Sequence, residues 1–446
     1  MPATPLLYRA LAAAGSALAP LAGLADPKIR EGHRGRRGAA GRLRAWSEQR
    51  REAERPLIWF HASSVGEGLQ AESVLRELRA LLPQAQYAYT HFSPSARGLA
   101  GRVPVDVAEY LPYDQPHAVR DILAALTPDL LVFAKLDLWP ELATRAATRG
   151  VVVAMVAATV SPGSGRLRWP ARPLLRAGYQ ALTAAAAISH EDAERLARLG
   201  VPPDRVRVLG DPRFDSVAAR VRSVAPDDPL LSYGRGAPTL VAGSTWPGDE
   251  AVLLSAFTRL LGKRPDARLI VVPHEPSADH LAAVERAARR LALPQPVRLS
   301  QTKAPVPLLL VDRAGLLAAL YGAGTMAYVG GGFGRAGLHS VLEPAAWGIP
   351  VAFGPRWGES RDARLLLEAG AAEALAGGRD EAVEGLRRRW SAWMNDEAGR
   401  AAQGAAARAV VTAGLGAARR SAEWLAKLIS PRPLRTSPSG ARPGPG

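Results

Sequence analysis

Cysteine is absent from the 446 residues. That rules out disulfides and thiolate chemistry, and it fits a reducing compartment. Metal-binding patterns are missing too: no HExxH occurs, and no His/Cys spacing matches a known site. His274 beside Glu275 is one pair, whereas a metal site needs three or four convergent ligands, so neither a metal nor a cofactor is expected. No short-period repeat is visible. A strongly apolar spanning segment is also lacking. The best candidate, "PLLYRALAAAGSALAPLAGL" (5–24), is rich in alanine and contains Arg9 and Pro20, which is marginal against the roughly 20 strongly apolar residues a spanning helix needs. Acids are in deficit: 41 Asp+Glu stand against 57 Lys+Arg, for a net charge of +16 and a pI near 10.8. Such a balance favours an anionic partner: nucleic acid, acidic lipid or a phosphorylated substrate.

An arginine-rich composition accounts for part of that excess but not for its clustering. Between Lys28 and Arg55 there are ten Lys/Arg and four Glu, with Trp46 the sole aromatic. No nucleic-acid module is recognisable there, so nucleic acid is set aside. A secretory signal carries its charge before the apolar run. Here most of it comes after, which keeps the succeeding chain cytoplasmic by the positive-inside rule. Residues 1–45 read as a membrane-surface segment or shallow anchor beside anionic headgroups. The alternatives are a single uncleaved span and an ordinary core helix.

What is present is a globular chain, 48% hydrophobic and 22% charged, long enough for two or three domains. Strand-like runs "PLIWFHA", "QYAYTHF", "DLLVFAK", "VVVAMVAATV" and "ALTAAAAIS" alternate with helical patterns. Ala71, Leu75, Leu78 and Leu82 fall on one helix face. "SHEDAERLARLG" has Ser189 as an N-cap and Gly200 as a stop. Continuous apolar strands between helices predict parallel sheets covered on both faces. A polar, Pro/Gly-marked linker at 216–237 separates a second series: "PTLVAGST", "ARLIVVPHE", "VPLLLVD", "TMAYVGGGFG" and "IPVAFGP". The expected architecture is two doubly wound α/β domains facing a cleft. They span 46–215 (acceptor side) and 238–430 (nucleotide side), with a disordered tail at 431–446. In such sheets ligands bind beyond the carboxyl ends of the strands.

Several strand ends carry suitable chemistry. Gly330, Gly331, Gly332 and Gly334 come after a strand and precede a helical stretch near "LHSVLEPAA". Glycines let backbone amides approach an anion, although loops also use them simply to turn. Glu343 in that helix is suited to a ribose, and the pair reads as a nucleotide-sugar site. The acid comes too soon for a dinucleotide fingerprint. Ser244 and Thr245 are placed to donate to phosphate, with Glu250 a helix cap. His274 is a donor to base, phosphate or sugar carboxylate, or a structural loop residue. Arg213 in "GDPRFDS" is a phosphate or carboxylate clamp, or a solvated arginine. Glu67, where "LIWFHASSVGEG" turns from strand to helix, complements the helix dipole. It also stands at the cleft mouth, where a carboxylate can take a proton from a hydroxyl.

At these residues the chain resembles the 3-deoxy-D-manno-octulosonic acid (Kdo) transferases of lipid A assembly. "HASSVGEG", "YTHFSPSARG", "YLPYDQPHAVRDIL", "LDLWPEL", "ISHEDAERLARLGV", "GDPRFD", "GSTWPGDE", "VVPHEP", "VGGGFG" and "LHSVLEPAAWGIPVAFGP" occur in family order over nearly the whole length. The resemblance implies a GT-B fold and a monotopic enzyme at the cytoplasmic face of the inner membrane, near a phosphorylated acceptor. It implies inverting transfer of Kdo from CMP-Kdo to a hydroxyl of a lipid A precursor, lipid IVA. Glu67 becomes the general base, and Gly331, Gly332, Glu343 and Arg213 become donor ligands. Ser244, Thr245, His274, Gly334, His339 and Ser340 complete the donor side; Ser64, Gly66, Lys135 and Asp137 stand on the acceptor side. The chain departs from the family in three places. Lys135, Leu136 and Asp137 replace a stretch with two acids before Leu-Trp-Pro. Ala157 and Thr159 stand where Asn and Arg are usual. His339-Ser340 replaces a His-Asn pair expected in the helix after the Gly-rich loop. Another sugar nucleotide or acceptor, or a catalytically silent lipid- or nucleotide-binding protein on the same fold, are the alternatives.

Overall fold

The computed structural model describes residues 3–335 and 337–429; the tail at 431–446 lies outside the described residues. Three helices lead in: α1 (Leu6–Ala25), α2 (Pro27–Arg36) and α3 (Ala39–Arg50). By length and composition α1 is able to cross a membrane. Leu6, Leu7, Leu11, Leu18, Leu21 and Leu24 along it are 54–79% exposed. Its beginning, however, is pinned to protein. The Tyr8 hydroxyl donates to Asp114 at 2.8 Å and Arg9 Nε to Glu141 at 2.8 Å, while the Thr4 and Thr144 hydroxyls meet at 2.8 Å. Asp114 and Glu141 are buried, so these contacts fix the helix to the first domain. The expected boundary at residue 45 moves, because Ala39 and Leu43 of α3 are fully buried and Leu43 belongs to the first core.

Burial pushes the Asp114 carboxyl up to about 6, against the Tyr8 hydroxyl and two backbone amides that favour its ionised form. A folded value above the ordinary 3.8 means this group supports folding fully below that value, and the support is lost as pH rises through the folded one. Tyr8→Phe removes a donor to the ionised form and raises the folded value further. It should therefore cost about 1.5–3 kcal/mol in alkaline buffer and clearly less near pH ~5, where the carboxyl is already protonated. Equal melting-point losses at both pH values would count against this account.

The chain divides into two compact units, one running to Asp215 and resuming at Gly416, the other spanning Ser216–Leu415. The first holds seven parallel strands: β1 (Leu57–His61), β2 (Gln86–His91), β3 (Val107–Tyr110), β4 (Leu130–Ala134), β5 (Val152–Ala158), β6 (Ala184–Ala187) and β7 (Val206–Val208), in the order β3-β2-β1-β4-β5-β6-β7. β1, β2, β4 and β6 are buried at every residue, as expected of strands covered on both faces. α4 (Val65–Leu81) returns from β1 with Ala71, Val74, Leu75 and Leu78 buried.

The second unit repeats the plan with β8 (Thr239–Thr245), β9 (Arg268–Pro273), β10 (Val297–Arg298), β11 (Leu308–Leu310), β12 (Met326–Val329), β13 (Val351–Phe353) and β14 (Ala372–Ala374), in the order β10-β11-β9-β8-β12-β13-β14, again all parallel. In each sheet the strand order reverses beside its first strand, at β1/β4 and at β8/β12. Those are the positions where open α/β sheets bind ligands.

Two expectations about the joins are corrected. Residues 216–222 continue a helix, Pro212–Arg222, with Phe214, Val217 and Ala218 buried on one face; the polar linker begins only after Arg222. The helix Ala417–Leu428, expected with the nucleotide domain, belongs to the first unit. Asp215 caps it, accepting from the amides of Gly416 at 2.7 Å and Ala418 at 2.9 Å. Its Ala418, Ala422 and Leu425 join the core formed by Val74 and Leu78 of α4.

Candidate active site

The turn from β1 into α4 is built as a capping box. The Ser64 hydroxyl and amide both donate to Glu67 Oε2, the amide at 3.0 Å, and the Glu67 amide reaches back to the Ser64 hydroxyl at 3.5 Å. Glu67 thus satisfies the Ser64 amide while the Ser64 hydroxyl satisfies the Glu67 amide, two donors that the helix start leaves without intrahelical partners, a fuller structural role than a dipole partner. Its second oxygen, Oε1, stands 4.0 Å from Lys135 Nζ, and the two side chains are 21% and 43% exposed. Gly66, in the first turn of α4, is exposed.

Lys135 comes directly after β4, on the far side of the strand-order reversal. Its φ is +59°, and its amide donates to Val156 of β5 at 2.8 Å. Ala157 (φ +54°) and Ser244 (φ +53°) are likewise in the left-handed region at the ends of β5 and β8. Non-glycine residues rarely adopt it, and such strain gathers at functional sites.

Asp137 supports this turn from beneath. It accepts the Ser63 amide at 2.7 Å, and its Oδ2 lies 3.2 Å from His61 Nε2. The chain of contacts continues inward: His61 Nδ1 meets the Thr90 hydroxyl at 2.9 Å, and that hydroxyl accepts from Trp59 Nε1 at 2.8 Å. His61, Thr90 and Trp59 are fully buried. Burial works to raise the Asp137 carboxyl, but hydrogen bonds from His61 and Ser63 outweigh it and hold the group below the usual range. Asp137 is therefore a positioning anion that ties the end of β4 to the turn carrying Glu67. Nothing in the sequence marks His61 or Thr90 for this role beyond a polar residue in the last two positions of each of two buried strands.

In the second unit the Gly-rich loop leaves β12. Asp249, fully buried in the helix Pro247–Leu261, organises it. It accepts from the Gly331 amide at 2.9 Å, the Trp246 amide at 3.0 Å and the Tyr328 hydroxyl at 2.8 Å. Gly331 has φ +97°, and a Cβ there would lie 2.0 Å from the Gly337 carbonyl oxygen, so no other residue fits. Its amide is committed to protein, which corrects the expectation of a direct phosphate donor at that position. Gly332 is buried and Gly334 partly so. The Gly332 carbonyl accepts from the Arg356 amide at 3.0 Å, and the Gly334 amide closes a turn onto Gly331 at 3.2 Å.

Thr245 is also spoken for. It is fully buried and donates to Glu250 at 2.8 Å, and Glu250 meets His280 Nε2 at 2.8 Å. Asp249, not Glu250, is the acid that serves the helix start. Ser244 remains partly exposed.

His274 and His339 come together around Trp246. Trp246 and His339 are nearly coplanar, 7° apart, and Trp246 Nε1 donates to His339 Nε2 at 3.0 Å. The His274 ring stacks on both, with centroids 5.0 Å from Trp246 and 4.3 Å from His339. Burial, then the neighbouring His274, pushes His339 down to about 4. It is therefore neutral near pH ~7, with its proton on Nδ1. The three rings form an aromatic plate beside the Gly-rich loop.

His339 and Ser340 lie in irregular chain before the helix, which covers only Leu342–Trp347. Gly348, with φ +73°, ends it, so the helical contribution to anion binding expected here is small. Glu343 is paired with Arg220. In the first unit, Arg213 opens its helix with Nε and Nη2 on the buried Asp211 at 2.9 and 2.6 Å. Among the described residues no cluster of three or more acids and histidines is arranged to hold a metal.

Comparison with known proteins finds similar sequences and folds. A family model described as "3-Deoxy-D-manno-octulosonic-acid transferase (kdotransferase)" matches residues 37–216. A 3-deoxy-D-manno-octulosonic acid transferase of Bordetella pertussis is 30% identical over 387 residues, 82% of this chain and 86% of that one. One from Haemophilus influenzae is 26% identical over 305 residues, 67% of this chain and 70% of that one. A UDP-GlcNAc 2-epimerase of Neisseria meningitidis, solved with UDP-GlcNAc, superposes with a TM-score of 0.58 at 13% identity, covering 84% of this chain and 99% of that one; the likeness is one of fold. With two Rossmann-like sheets and aligned relatives over most of its length, the chain belongs to the 3-deoxy-D-manno-octulosonic acid transferase family.

Proposed function

We propose that the protein transfers Kdo from CMP-Kdo to a hydroxyl of a lipid A precursor, with inversion at the anomeric carbon. The observation that carries this reading is Glu67: one carboxylate oxygen is held by the helix cap while the other, 4.0 Å from the Lys135 ammonium, is left out of the cap at the strand-order reversal of the first sheet. The acceptor oxygen forms its bond to the anomeric carbon as the bond from that carbon to the CMP phosphate breaks. The acceptor proton passes to Glu67 Oε1, and CMP departs with the electron pair. Asp137 and His61 hold the turn, so the base enters the reaction already oriented. Donor binding falls to the second unit, with the Trp246–His274–His339 plate beside the Gly-rich loop, Ser244 and Ser340 near it, and Glu343 on the ribose. Arg213 partners the departing phosphate, where negative charge grows. The pinned α1, with its outward leucines, seats the enzyme on the cytoplasmic face of an anionic inner membrane.

Mass spectrometry of lipid IVA incubated with CMP-Kdo and purified protein tests the reaction. A gain of one or more Kdo residues with release of CMP is expected. CMP binding without product would identify a silent binding protein, and product from a different sugar nucleotide would identify another transferase.

A different acceptor is the second reading, favoured by the Lys135 ammonium beside Glu67. Lys135→Glu places two carboxylates together and is expected to change acceptor preference several-fold while leaving the melting temperature near the parent's, because Lys135 contributes little packing. Identical kinetics on every acceptor would show that Lys135 only faces solvent.

A further inference from the structure

The first unit carries a second cluster, at the ends of β2 and β3. α2 presses onto Tyr110, the last residue of β3: a Cβ on Gly35 would stand 2.4 Å from the ring. Beside this contact opens a cavity of about 860 Å³. Its wall carries Arg30, Arg34, Arg42 and Arg97 against Glu31 and Glu109. Two of these arginines are engaged. Arg42 pairs with Glu109, and Arg30 reaches the Gly23 carbonyl at 3.4 Å. Arg34 and Arg97 are exposed, and their guanidinium groups have no hydrogen-bonded or ion-paired partner among the described residues.

Two buried side chains on the same wall point to a ligand independently. His91 ends β2 and Tyr110 ends β3, only 2% and 6% exposed, with ring centroids 4.1 Å apart. His91 Nδ1 and the Tyr110 hydroxyl are buried and have no hydrogen-bond partner among the described residues. A buried polar atom left unpaired costs about 1–3 kcal/mol, and two such atoms among the lining residues, with two exposed guanidinium groups beside them, fit a site for an anionic partner. Guanidinium groups match the oxygens of a tetrahedral anion.

We propose that this cavity binds a phosphate group, with Arg34 and Arg97 as its charge partners and the Tyr110 hydroxyl as a hydrogen-bond partner. α2 comes directly after the leucine-rich α1, so the phosphate comes either from an anionic lipid headgroup or from solution. The inference does not rest on the transferase reading.

The test compares the full chain with Arg34→Ala/Arg97→Ala and with Tyr110→Phe. Isothermal titration with inorganic phosphate is run beside flotation on phosphatidylglycerol and phosphatidylcholine vesicles. The double variant should lose at least tenfold in phosphate affinity if the source is free phosphate. It should lose at least tenfold in phosphatidylglycerol binding if the source is a headgroup. In either case phosphatidylcholine binding, which reports on α1, should not change. Tyr110→Phe keeps the packing and the charge, and should weaken the same binding about fivefold. If both variants bind phosphate and phosphatidylglycerol like the parent, the proposal is overturned.

Discussion

Glu67→Gln should lower turnover by about 10²–10⁴, the usual contribution of a general base, while CMP affinity stays at the parent value. The substitution is informative because of the capping box. A Gln oxygen can still accept from the Ser64 amide, so the start of α4 is retained and the melting temperature should barely move. Glu67→Ala differs: it also removes a cap, worth about 1 kcal/mol, so lost activity there mixes base with scaffold. Single-turnover transfer, titration of CMP and a melting curve separate these effects. Near-full turnover by the Gln variant would leave Glu67 as a helix cap alone.

Asp249→Ala should be the most damaging single change in the second unit. It strands the Gly331 amide, the Trp246 amide and the Tyr328 hydroxyl, all bonded to one fully buried carboxylate. Burial pushes that carboxyl up, and the bonds it accepts work the other way. With about 1–3 kcal/mol for each group left unsatisfied, a loss of about 3 kcal/mol is a conservative expectation. For a unit of this size that is about 6–12 °C in melting temperature. Titration well below the transition should also show weakened CMP binding, because the Gly-rich loop loses its anchor. A large thermal loss with unchanged CMP binding would separate this loop from the donor site. Glu343→Gln gives a contrasting case. Its partner Arg220 is partly exposed, so little stability is at stake and weakened CMP binding would support the proposed ribose contact.

The two parallel sheets, their central strands and the residues at the strand ends are legible in the amino-acid order alone. β1, β2, β4, β8, β9 and β12 are read easily because strands covered on both faces must be apolar almost throughout. Edge strands escape that constraint. β3, β7, β10 and β14 are short, and most of their residues are partly or fully exposed, so their composition does not set them apart from loops. Ser189 and Gly200 were legible as helix ends because capping is local chemistry, and Ser189 does accept from the Asp192 amide. Partners distant in sequence were not legible. That Asp137 serves the turn of Glu67, that Asp249 rather than a bound anion receives the Gly331 amide, and that Glu343 meets Arg220 depend on which strand ends become neighbours. The return of the final helix to the first unit has the same origin: Asp215 caps a helix that begins two hundred residues later. Local patterns record what each segment must bury or cap. Which buried polar group finds which partner depends on the folded arrangement, because those bonds form between strand ends that the sheet order brings together.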